Sequence, residues 1–457
     1  AATGKRTLVV RLGTRRATVL FAAVTLCAYL PLAAGVAARI MPPWTLLGLV
    51  SLPLAVRAVA VAALASGESV IEKPLESADA RAARHAYEKL GATINATPDC
   101  WRVQGTGGLF TAPDDVINVE NSGTTMRMAL GSAALLRSGM AVLTGDEQVR
   151  RRPCGPLAEA LNALGARVES TRANGMPPFA VSGALRGGSA TIEAVTSQYV
   201  SSLLLNAPMA EMDTRLVVPL LNEKPYVLMT LDWLQRQGVN AACDAALSEF
   251  HIPGGQHYAP VRRAIPADFS SATFFLAAGA LPGNNVLCQG LDMDDTQGDK
   301  AVVSYLEAMG ATVTVEAEGI RVAAKALQGA ELDLNATPDA LPMMAALACF
   351  ADGETRLVNV PQARLKETDR ISVMRAELGK LGAKITELPD GMIIQGAALH
   401  GGDVEGHGDH RVVMALAIAA TAIPEKVRIH NADAVDVTYP GFADALQGLG
   451  GKIATHP

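Results

Sequence analysis

The amino-acid sequence predicts an α/β protein of two globular domains, each containing three copies of one repeating unit. The chain has 457 residues, which is enough for two or three domains with buried cores. Its composition, 49% hydrophobic and 18% charged residues, excludes a disordered chain. A pattern in which a helix ends at a glycine and a strand follows recurs six times along the sequence.

The repeats are recognised by a glycine between an amphipathic run and a β-like run. These glycines are Gly91, Gly165, Gly238, Gly310, Gly382 and Gly450, at spacings of 68 to 74 residues. A glycine directly after a helix commonly adopts the left-handed conformation that ends the helix. In the fourth repeat, Lys300–Met309 predicts the helix and Thr312–Glu316 the strand. Units of this length are too long for a solenoid. We therefore expect two domains, a hinge at residues 254–260 and a ligand cleft between the domains.

Charge and cysteine content narrow the classes of function. The net charge is −6 at pH 7, so no general attraction to nucleic acid is expected. The six cysteines are scattered and include no Cys-x-x-Cys pair, which indicates neither a zinc site nor a disulfide framework. We therefore expect buried, reduced thiols and a cytoplasmic protein.

Residues 1–56 form an apolar segment unlike the rest. Residues 17–38 and 40–56 carry no charge, and a basic stretch precedes them. This arrangement predicts a membrane-like segment that tethers the chain to the inner face of a membrane. A secretory signal and a helix of a soluble core are the alternatives. Through Gly4–Gly13 and Leu52–Arg57, residues 2–57 resemble a segment of membrane prenyltransferases, but the aspartate-rich motifs of that family are absent, so no prenyl transfer is expected.

Five motifs along the chain predict a site for anions. Asn121–Arg127 forms a Gly-Thr turn at a helix start, where backbone amides bind anions. Gly145–Pro153 contains three consecutive arginines, and Thr196–Leu205 opens a helix with hydroxyl groups. Lys366–Arg370 combines two cations with two carboxylates, and Gly408–Arg411 adds a histidine and an arginine. Each motif alone is typical of a helix cap or a solvated surface, so their combination and order carry the signal.

In this order, and on six repeats, the motifs resemble the enolpyruvyl transferase family from about residue 57 to the C terminus. The members of the family that act on shikimate 3-phosphate are favoured by five motifs in combination: Asn121–Arg127, Ser197–Leu205, Asn222–Tyr226, Leu365–Arg370 and Asp409–Arg411. The resemblance implies two inverse α/β-barrel-like domains built from six βαβαββ units, at residues 57–257 and 258–457. It also implies a monomer, a site in the cleft, and no metal or organic cofactor.

The reaction that the resemblance implies belongs to the shikimate pathway, which leads to chorismate and the aromatic amino acids. The enolpyruvyl group of phosphoenolpyruvate is joined to the 5-hydroxyl of shikimate 3-phosphate, and phosphate is released. Addition gives a tetrahedral ketal, and elimination then regenerates the enol ether.

The resemblance also assigns residues to this chemistry. Phosphoenolpyruvate is expected at Gly123, Thr124, Arg152, Arg370 and Arg411. Shikimate 3-phosphate is expected at Arg57, Thr196, Ser197, Gln198, Tyr226, Asp339 and Lys366. Further candidates for the site are Glu223, Gln362 and His410.

Three of the assigned residues are expected to be catalytic. Asp339 would take the proton of the attacking hydroxyl, and Lys366 is also expected to be catalytic. Glu367 would protonate and later deprotonate the methylene carbon, which requires a pKa raised by burial. The alternatives are a helix N-cap for Asp339 and an ion pair with Arg370 for Glu367.

The sequence departs from the family pattern in its N-terminal motif. The family has Gly-Ser-Lys-Ser followed by an arginine, and here Ser51 and Arg57 fit whereas Leu52 and Pro53 replace the lysine and second serine. A buried ammonium group on developing charge contributes ~3 kcal/mol, so we expect impaired activity. The family's first strand, which crosses into the second domain, has no recognisable counterpart before residue 57.

The same motifs are compatible with other functions. An inactive fusion and a membrane-tethered binding protein on the same fold are the alternatives to a working enzyme. The related enzyme acting on UDP-N-acetylglucosamine is disfavoured by Leu365–Arg370.

Overall fold

The computed structural model describes residues 7–10, 52–74 and 76–456. The helices in these ranges are α1 (Leu52–Leu64), α2 (Ala78–Lys89), α3 (Gly123–Ala133), α4 (Gly155–Ala163), α5 (Ser197–Asn206), α6 (Lys224–Arg236), α7 (Phe269–Ala280), α8 (Val302–Ala308), α9 (Leu341–Ala348), α10 (Arg370–Lys380), α11 (His410–Thr421) and α12 (Phe442–Gly448). The strands up to the middle of the chain are β1 (Thr7–Val10), β2 (Glu68–Glu72), β3 (Thr93–Thr97), β4 (Cys100–Gln104), β5 (Ile117–Asn118), β6 (Met140–Thr144), β7 (Arg167–Ser170), β8 (Phe179–Ser182), β9 (Gly188–Ala194), β10 (Thr214–Leu221), β11 (Ala242–Cys243), β12 (Glu249–Ile252) and β13 (Arg262–Ala264). The later strands are β14 (Asn285–Gln289), β15 (Thr312–Glu316), β16 (Gly319–Ala323), β17 (Glu331–Asp333), β18 (Glu354–Val358), β19 (Lys384–Leu388), β20 (Gly391–Gln395), β21 (Gly402–Glu405), β22 (Val427–His430) and β23 (Ile453–His456).

The described strands form six small sheets with a recurring order. The orders are β13-β2-β4-β3, β5-β6-β8-β7, β9-β10-β12-β11, β14-β16-β15, β17-β18-β20-β19 and β21-β22-β1-β23. Each four-stranded sheet contains one parallel pair followed by two antiparallel pairs; in the second sheet, β5 is parallel to β6, and β8 is antiparallel to both β6 and β7. The expected α/β fold of six repeated units is confirmed, and it matches the βαβαββ plan.

The helices divide between two hydrophobic cores. One core is formed by residues between 54 and 265 (the first half), and the other by residues between 269 and 453 (the second half). In the second half, every residue of α7, α9 and α11 is buried. Alanine, serine and glycine are frequent in the buried helices, since small side chains allow close helix packing. The outer helices bury only one face.

Two strands pair with partners that are distant in the sequence. β1 lies between β22 and β23, where Leu8 pairs with Ile429 on one side and with Thr455 on the other. β13 pairs with β2, with Arg262 opposite Val70. The expectation that no first strand precedes residue 57 is therefore wrong. The four residues of β1 favour a strand by their composition, but nothing in their sequence indicates its distant partners.

The glycines that define the repeats confirm the predicted helix ends. All six have positive φ, between +70° and +106°. At the first of them, the N–H of Gly91 donates to the carbonyl of Glu88 at 2.9 Å, directly after α2. A side chain at this φ would be strained, which explains why glycine recurs there.

The boundary residues add detail to the predicted domains. α1 begins at Leu52, five residues before the predicted start at 57, and β13 belongs to a sheet of the first half although it follows residue 258. The division at 57 and 258 stays a prediction.

Most of the apolar N-terminal segment lies outside the described residues, including positions 17–38 and 40–51. Leu54, Ala55 and Val56, at its end, are buried in the first core as part of α1. Within the described ranges, no helix combines the length and the apolar character needed to span a bilayer.

The described cysteines are unpaired. Cys154, Cys288 and Cys349 are buried as expected, whereas Cys100 is half-buried and Cys243 is exposed, in a two-residue strand near the surface. Burial of every thiol was therefore not a correct expectation.

Candidate active site

A cavity between the two halves is surrounded by helix starts. Its wall contains residues from the first three positions of five helices: Gly123 and Thr124 of α3, Ser197 and Gln198 of α5, Tyr226 of α6, Arg370 of α10, and His410 and Arg411 of α11. A helix N terminus carries partial positive charge and free N–H groups, and it therefore favours anions. The fold directs several such termini to one place.

The charged side chains of the cavity strengthen this preference. Among the described residues, six cationic side chains line it: Arg57, Arg127, Arg152, Lys366, Arg370 and Arg411. Four carboxylates share the wall: Asp79, Glu223, Asp339 and Glu367. Cations outnumber carboxylates here although the whole chain has a net charge of −6. The cavity is thus suited to ligands with several negative charges.

Arg370 lies at the centre of the charge network. Its side chain is 1% exposed, its Nε lies 2.9 Å from Asp409 Oδ2, and its Nη1 lies 2.7 Å from Asp339 Oδ1. Its Nη2 also donates to Glu367. Burial alone would lower the pKa of Arg370, but the three carboxylates, led by Asp409, raise it above the ordinary value. This guanidinium is permanently charged and held in one orientation.

Asp339 is held ionised by its neighbours. Arg411 Nη2 lies 3.3 Å from its Oδ2, and Lys366 Nζ lies 3.6 Å from its Oδ1. Burial by itself would raise the pKa of Asp339, but Arg411, Lys366 and Arg370 together bring it below the ordinary value. Asp339 belongs to a short 3-10 turn before α9, and the residue at the N-cap position of α9 is Ala340. The N-cap alternative is therefore excluded.

Glu367 differs from expectation in its ionisation. It forms an ion pair with Arg370, as the alternative interpretation stated, and another with Arg152, whose Nη2 lies 3.0 Å from Glu367 Oε1 across the cleft. Burial would raise the pKa of Glu367, but Arg152 and Arg370 outweigh burial and hold it well below the ordinary value. The expected raised pKa of Glu367 is therefore wrong for this structure, because two guanidinium groups reach the carboxylate.

Glu223 links the start of α5 to the second half. Its carboxylate is 3% exposed and accepts hydrogen bonds from Thr196 Oγ1 at 3.0 Å and from Ser197 Oγ at 2.8 Å. Lys366 Nζ donates to its other oxygen at 2.7 Å. Burial would raise the pKa of Glu223, but Lys366 lowers it below the ordinary value. The carboxylate thus occupies the hydroxyl groups and the ammonium group that an anionic ligand would need.

The starts of α3 and α5 are joined through Gln198. Its Nε2 donates to Thr124 Oγ1 at 3.0 Å, and its Oε1 accepts from Arg127 Nη1 at 2.7 Å. A Cβ atom at Gly123 would lie 2.4 Å from Arg152 Nη1. Only glycine allows the guanidinium to approach the helix start so closely.

The remaining predicted residues also lie in the cavity wall. Arg57 donates from Nε to Thr230 Oγ1 at 2.9 Å, and the Tyr226 hydroxyl donates to Asp299 Oδ2 at 2.6 Å. Gln362 Nε2 donates to a backbone carbonyl at 2.9 Å, and its buried Oε1 has no hydrogen-bond partner among the described residues. Burial lowers the pKa of His410 to about 4, which leaves it neutral at pH 7.

The structure thus brings together every residue named from the sequence. Their roles are a separate matter and remain predictions. Three further residues line the same cavity without having been predicted from the sequence: Asp79, Arg127 and Thr438. Arg127 ends the Asn121–Arg127 motif, so a signal existed for it, whereas nothing in the sequence around Thr438 marks it. Burial raises the pKa of Asp79 to about 6.

Within residues 7–10, 52–74 and 76–456, no group of three His, Cys, Asp or Glu side chains is arranged to hold a metal ion. Leu52, the position of the missing lysine, is the first residue of α1, and its side chain is outside the description.

Comparison with known proteins gives one consistent result. A family model described as EPSP synthase (3-phosphoshikimate 1-carboxyvinyltransferase) matches residues 47–446. The chain is 48% identical over 398 residues to a 3-phosphoshikimate 1-carboxyvinyltransferase of Ruminiclostridium cellulolyticum, covering 87% of this chain and 94% of the relative. It is 50% identical over 400 residues to the protein of that name from Acetivibrio thermocellus, covering 88% and 94%.

Solved structures agree with the sequence relatives. The EPSP synthase of Acinetobacter baumannii superposes with a TM-score of 0.75 at 26% identity, covering 88% of this chain and 95% of that structure. The enolpyruvyl transferase NikO from Streptomyces tendae, at 19% identity, has a TM-score of 0.72 over 99% of both chains and supports the fold alone.

The resemblance of residues 2–57 to a prenyltransferase is unsupported. The family match begins at residue 47, within that segment. Thr7–Val10 pairs with strands of the second half, and Leu52–Leu64 forms a helix of the first half. Both described parts of the segment are integrated into this fold.

Proposed function

This chain belongs to the EPSP synthase family, and we propose that the cavity between its halves is the active site for that family's reaction. The chain is a transferase of the shikimate pathway. It transfers the enolpyruvyl group of phosphoenolpyruvate to the 5-hydroxyl of shikimate 3-phosphate, giving 5-enolpyruvylshikimate 3-phosphate and phosphate. The observation that carries this assignment to the cavity is the convergence of six cationic side chains and five helix starts. Both substrates are polyanions, so the positive electrostatic potential of the cavity favours the binding of both.

Phosphoenolpyruvate binds, in this proposal, to Arg152, Arg370 and Arg411 beside Gly123. Each arginine is buried, and each already holds a carboxylate of the protein, Glu367 or Asp339. The ligand's carboxylate and phosphate offer the same planar or multidentate acceptors, which suit guanidinium better than ammonium. Binding therefore exchanges internal ion pairs for ion pairs with the substrate.

Shikimate 3-phosphate binds on the side of α5 and α6. Thr196, Ser197 and Gln198 supply hydroxyl, amide and helix-start N–H groups, and Lys366 supplies a positive charge. These groups now hold Glu223 and one another. Arg57 and Tyr226 complete this subsite from the first half.

Asp339 accepts the proton of the attacking 5-hydroxyl. It is ionised in the free protein, which is the state a proton acceptor needs. The cations that hold its pKa low are the same ones that the substrates occupy. When Arg411 and Arg370 turn to phosphoenolpyruvate, the carboxylate becomes more basic.

Glu367 exchanges a proton with the methylene carbon. Its pKa is low while Arg152 and Arg370 contact it, and it rises when these guanidinium groups bind the substrate's carboxylate and phosphate. The protonated Glu367 then gives its proton to the methylene carbon as the 5-oxygen bonds to the adjacent carbon. In the second step phosphate leaves, and Glu367 removes a proton from the new methyl group to restore the double bond.

Arg411→Lys tests the arginine site. Lysine keeps the charge but loses the bidentate geometry, so we expect the KM for phosphoenolpyruvate to rise by about 10-fold or more. Phosphate release measured against phosphoenolpyruvate concentration gives this value. Arg428→Lys is the control, because Arg428 is an exposed partner of Asp403 in the sixth sheet. Equal KM values for Arg411→Lys and the control would count against the assignment.

We further propose that the chain works as a cytoplasmic monomer. The unpaired thiols of the described residues are consistent with a reducing compartment.

A further inference from the structure

Helix α6 contacts the second half through Tyr226, the third residue of the helix. The Tyr226 hydroxyl donates to Asp299 Oδ2 at 2.6 Å. Tyr226 belongs to the core of the first half, whereas Asp299 lies in the 3-10 turn Gly298–Ala301 just before α8. Asp299 is 3% exposed and Tyr226 is 7% exposed, so the bond is shielded from water. A short, buried hydrogen bond thus joins the two halves directly behind the cavity wall.

The turn that carries Asp299 also meets the start of α6 at the same place. A Cβ atom at Gly298 would lie 2.3 Å from Pro225 Cβ, so the turn and the start of α6 are in direct contact. The turn is itself anchored in the second half, because Gln297 Oε1 accepts from the N–H of Phe269 at 3.0 Å and its Nε2 donates to Ala267 O at 2.8 Å. Asp299 is therefore carried on a fixed support that approaches Tyr226 only when the halves are together.

Asp299 is poorly satisfied apart from Tyr226. Its Oδ1 is buried and has no hydrogen-bond partner among the described residues. Burial, with a smaller effect of Asp339, raises the pKa of Asp299 to about 7. A buried carboxylate with one oxygen unpaired is costly to stability, and such costs are concentrated at functional sites.

We propose that Asp299 is a positioning residue that fixes Tyr226 in the shikimate 3-phosphate subsite when the two halves close. With the halves apart, the phenol loses its acceptor and the subsite loses its wall. A ligand that needs the ordered Tyr226 binds the closed arrangement better and shifts the population toward it. This inference rests on the proposed function of the cavity, since it names shikimate 3-phosphate as the ligand.

The test uses Asp299→Ala and Asp299→Asn in the full chain. We expect Asp299→Ala to raise the Kd and KM for shikimate 3-phosphate by about 10-fold, with kcat changed by less than about 3-fold. Asp299→Asn keeps an acceptor for the phenol and should restore both constants to within about 3-fold of the wild-type values. Calorimetric titration gives the Kd, and phosphate release gives the kinetic constants.

Two further comparisons separate positioning from general damage. In a Tyr226→Phe background, Asp299→Ala should have little further effect, because the bond is already absent. Asn335→Ala is the control. Asn335 Nδ2 donates to Asn222 Oδ1 at 3.2 Å, so this substitution removes another hydrogen bond between the halves without changing the contacts of Tyr226. Its Kd should equal that of the wild type.

Gly298→Ala provides an independent variant that keeps Asp299. Its methyl group would meet Pro225 and hold the halves apart, so the Kd for shikimate 3-phosphate should rise here too. An unchanged Kd for Asp299→Ala or for Gly298→Ala would overturn the inference, as would equal losses in Asp299→Ala and Asp299→Asn. A wild-type chain that does not bind shikimate 3-phosphate would instead overturn the proposed function.

Discussion

At the scale of residues, the carboxylates of the protein occupy the arginines that the anionic substrates are proposed to bind. Arg370 contacts Asp339, Glu367 and Asp409 at once, and it is almost completely buried. A buried charge of this kind is stable only while its partners are present. Asp339 and Glu367 therefore have pKa values below the ordinary ones, and the proton-transfer roles proposed for them require the substrates to take over the arginines. The Leu365–Arg370 motif identified Glu367 and Arg370, but the contact of Glu367 with Arg152 depends on the fold.

His410 makes stability depend on pH. Its pKa is about 4 in the folded protein because of burial, against 6.5 in an exposed histidine. The contribution of neutral His410 to the free energy of unfolding is therefore fully present above pH 6.5, and it is lost as the pH falls toward 4. Between pH 7 and pH 4, the wild type should lose up to about 3 kcal/mol more unfolding free energy than His410→Gln. Urea titrations at both pH values measure the difference, and parallel losses in the two proteins would contradict it.

Leu52 stands where the family motif has a lysine, at the first position of the helix that carries Arg57. Leu52→Lys combined with Pro53→Ser restores the motif. Since such an ammonium group contributes ~3 kcal/mol, we expect kcat/KM to rise by about 100-fold or more. Leu52→Met with Pro53→Ser is the matched control, because methionine has a similar length without the charge. A gain no larger than that of the control would show that the missing lysine does not limit this enzyme.

At the scale of elements, helix ends were predictable and strand partners were not. The six glycines mark helix ends by a local requirement for positive φ, which the sequence displays directly. The helix starts of α3 and α5 were likewise visible as motifs. β1 is different: its place between β22 and β23 is decided by pairing with strands at the other end of the chain. Such long-range register leaves no trace in a four-residue segment.

Val9→Pro tests the place of β1. Val9 is opposite Arg428 on one side and Ala454 on the other, so proline removes an N–H from the middle of a sheet. Hydrogen exchange at the amides of β22 and β23 should become faster, while exchange in the sheet β14-β16-β15 stays unchanged. Val9→Thr keeps the N–H and the branched side chain and should behave like the wild type. Unchanged exchange in Val9→Pro would contradict the position of β1.

At the scale of the whole molecule, the two halves have separate hydrophobic cores, and ion pairs join the halves across the cleft. The pairs Arg152–Glu367 and Lys366–Glu223 cross the cleft, and each consists of groups assigned to substrate binding or catalysis. The sequence predicted two domains and a cleft from the repeats alone. It could not predict that the cleft is bridged by its own ion pairs, because these depend on how the halves approach. Nor did it separate residues 52–56 from the apolar segment before them, since the first core is as apolar as a membrane helix.

The most direct test of the account is turnover by the full chain with both substrates. We expect phosphoenolpyruvate and shikimate 3-phosphate together to yield phosphate and 5-enolpyruvylshikimate 3-phosphate in equal amounts, detected by a phosphate assay and by mass spectrometry. Omission of either substrate should give no product. A folded chain that releases no phosphate with both substrates, or that releases it from phosphoenolpyruvate alone, would contradict the assignment of this cavity as an enolpyruvyl transferase site.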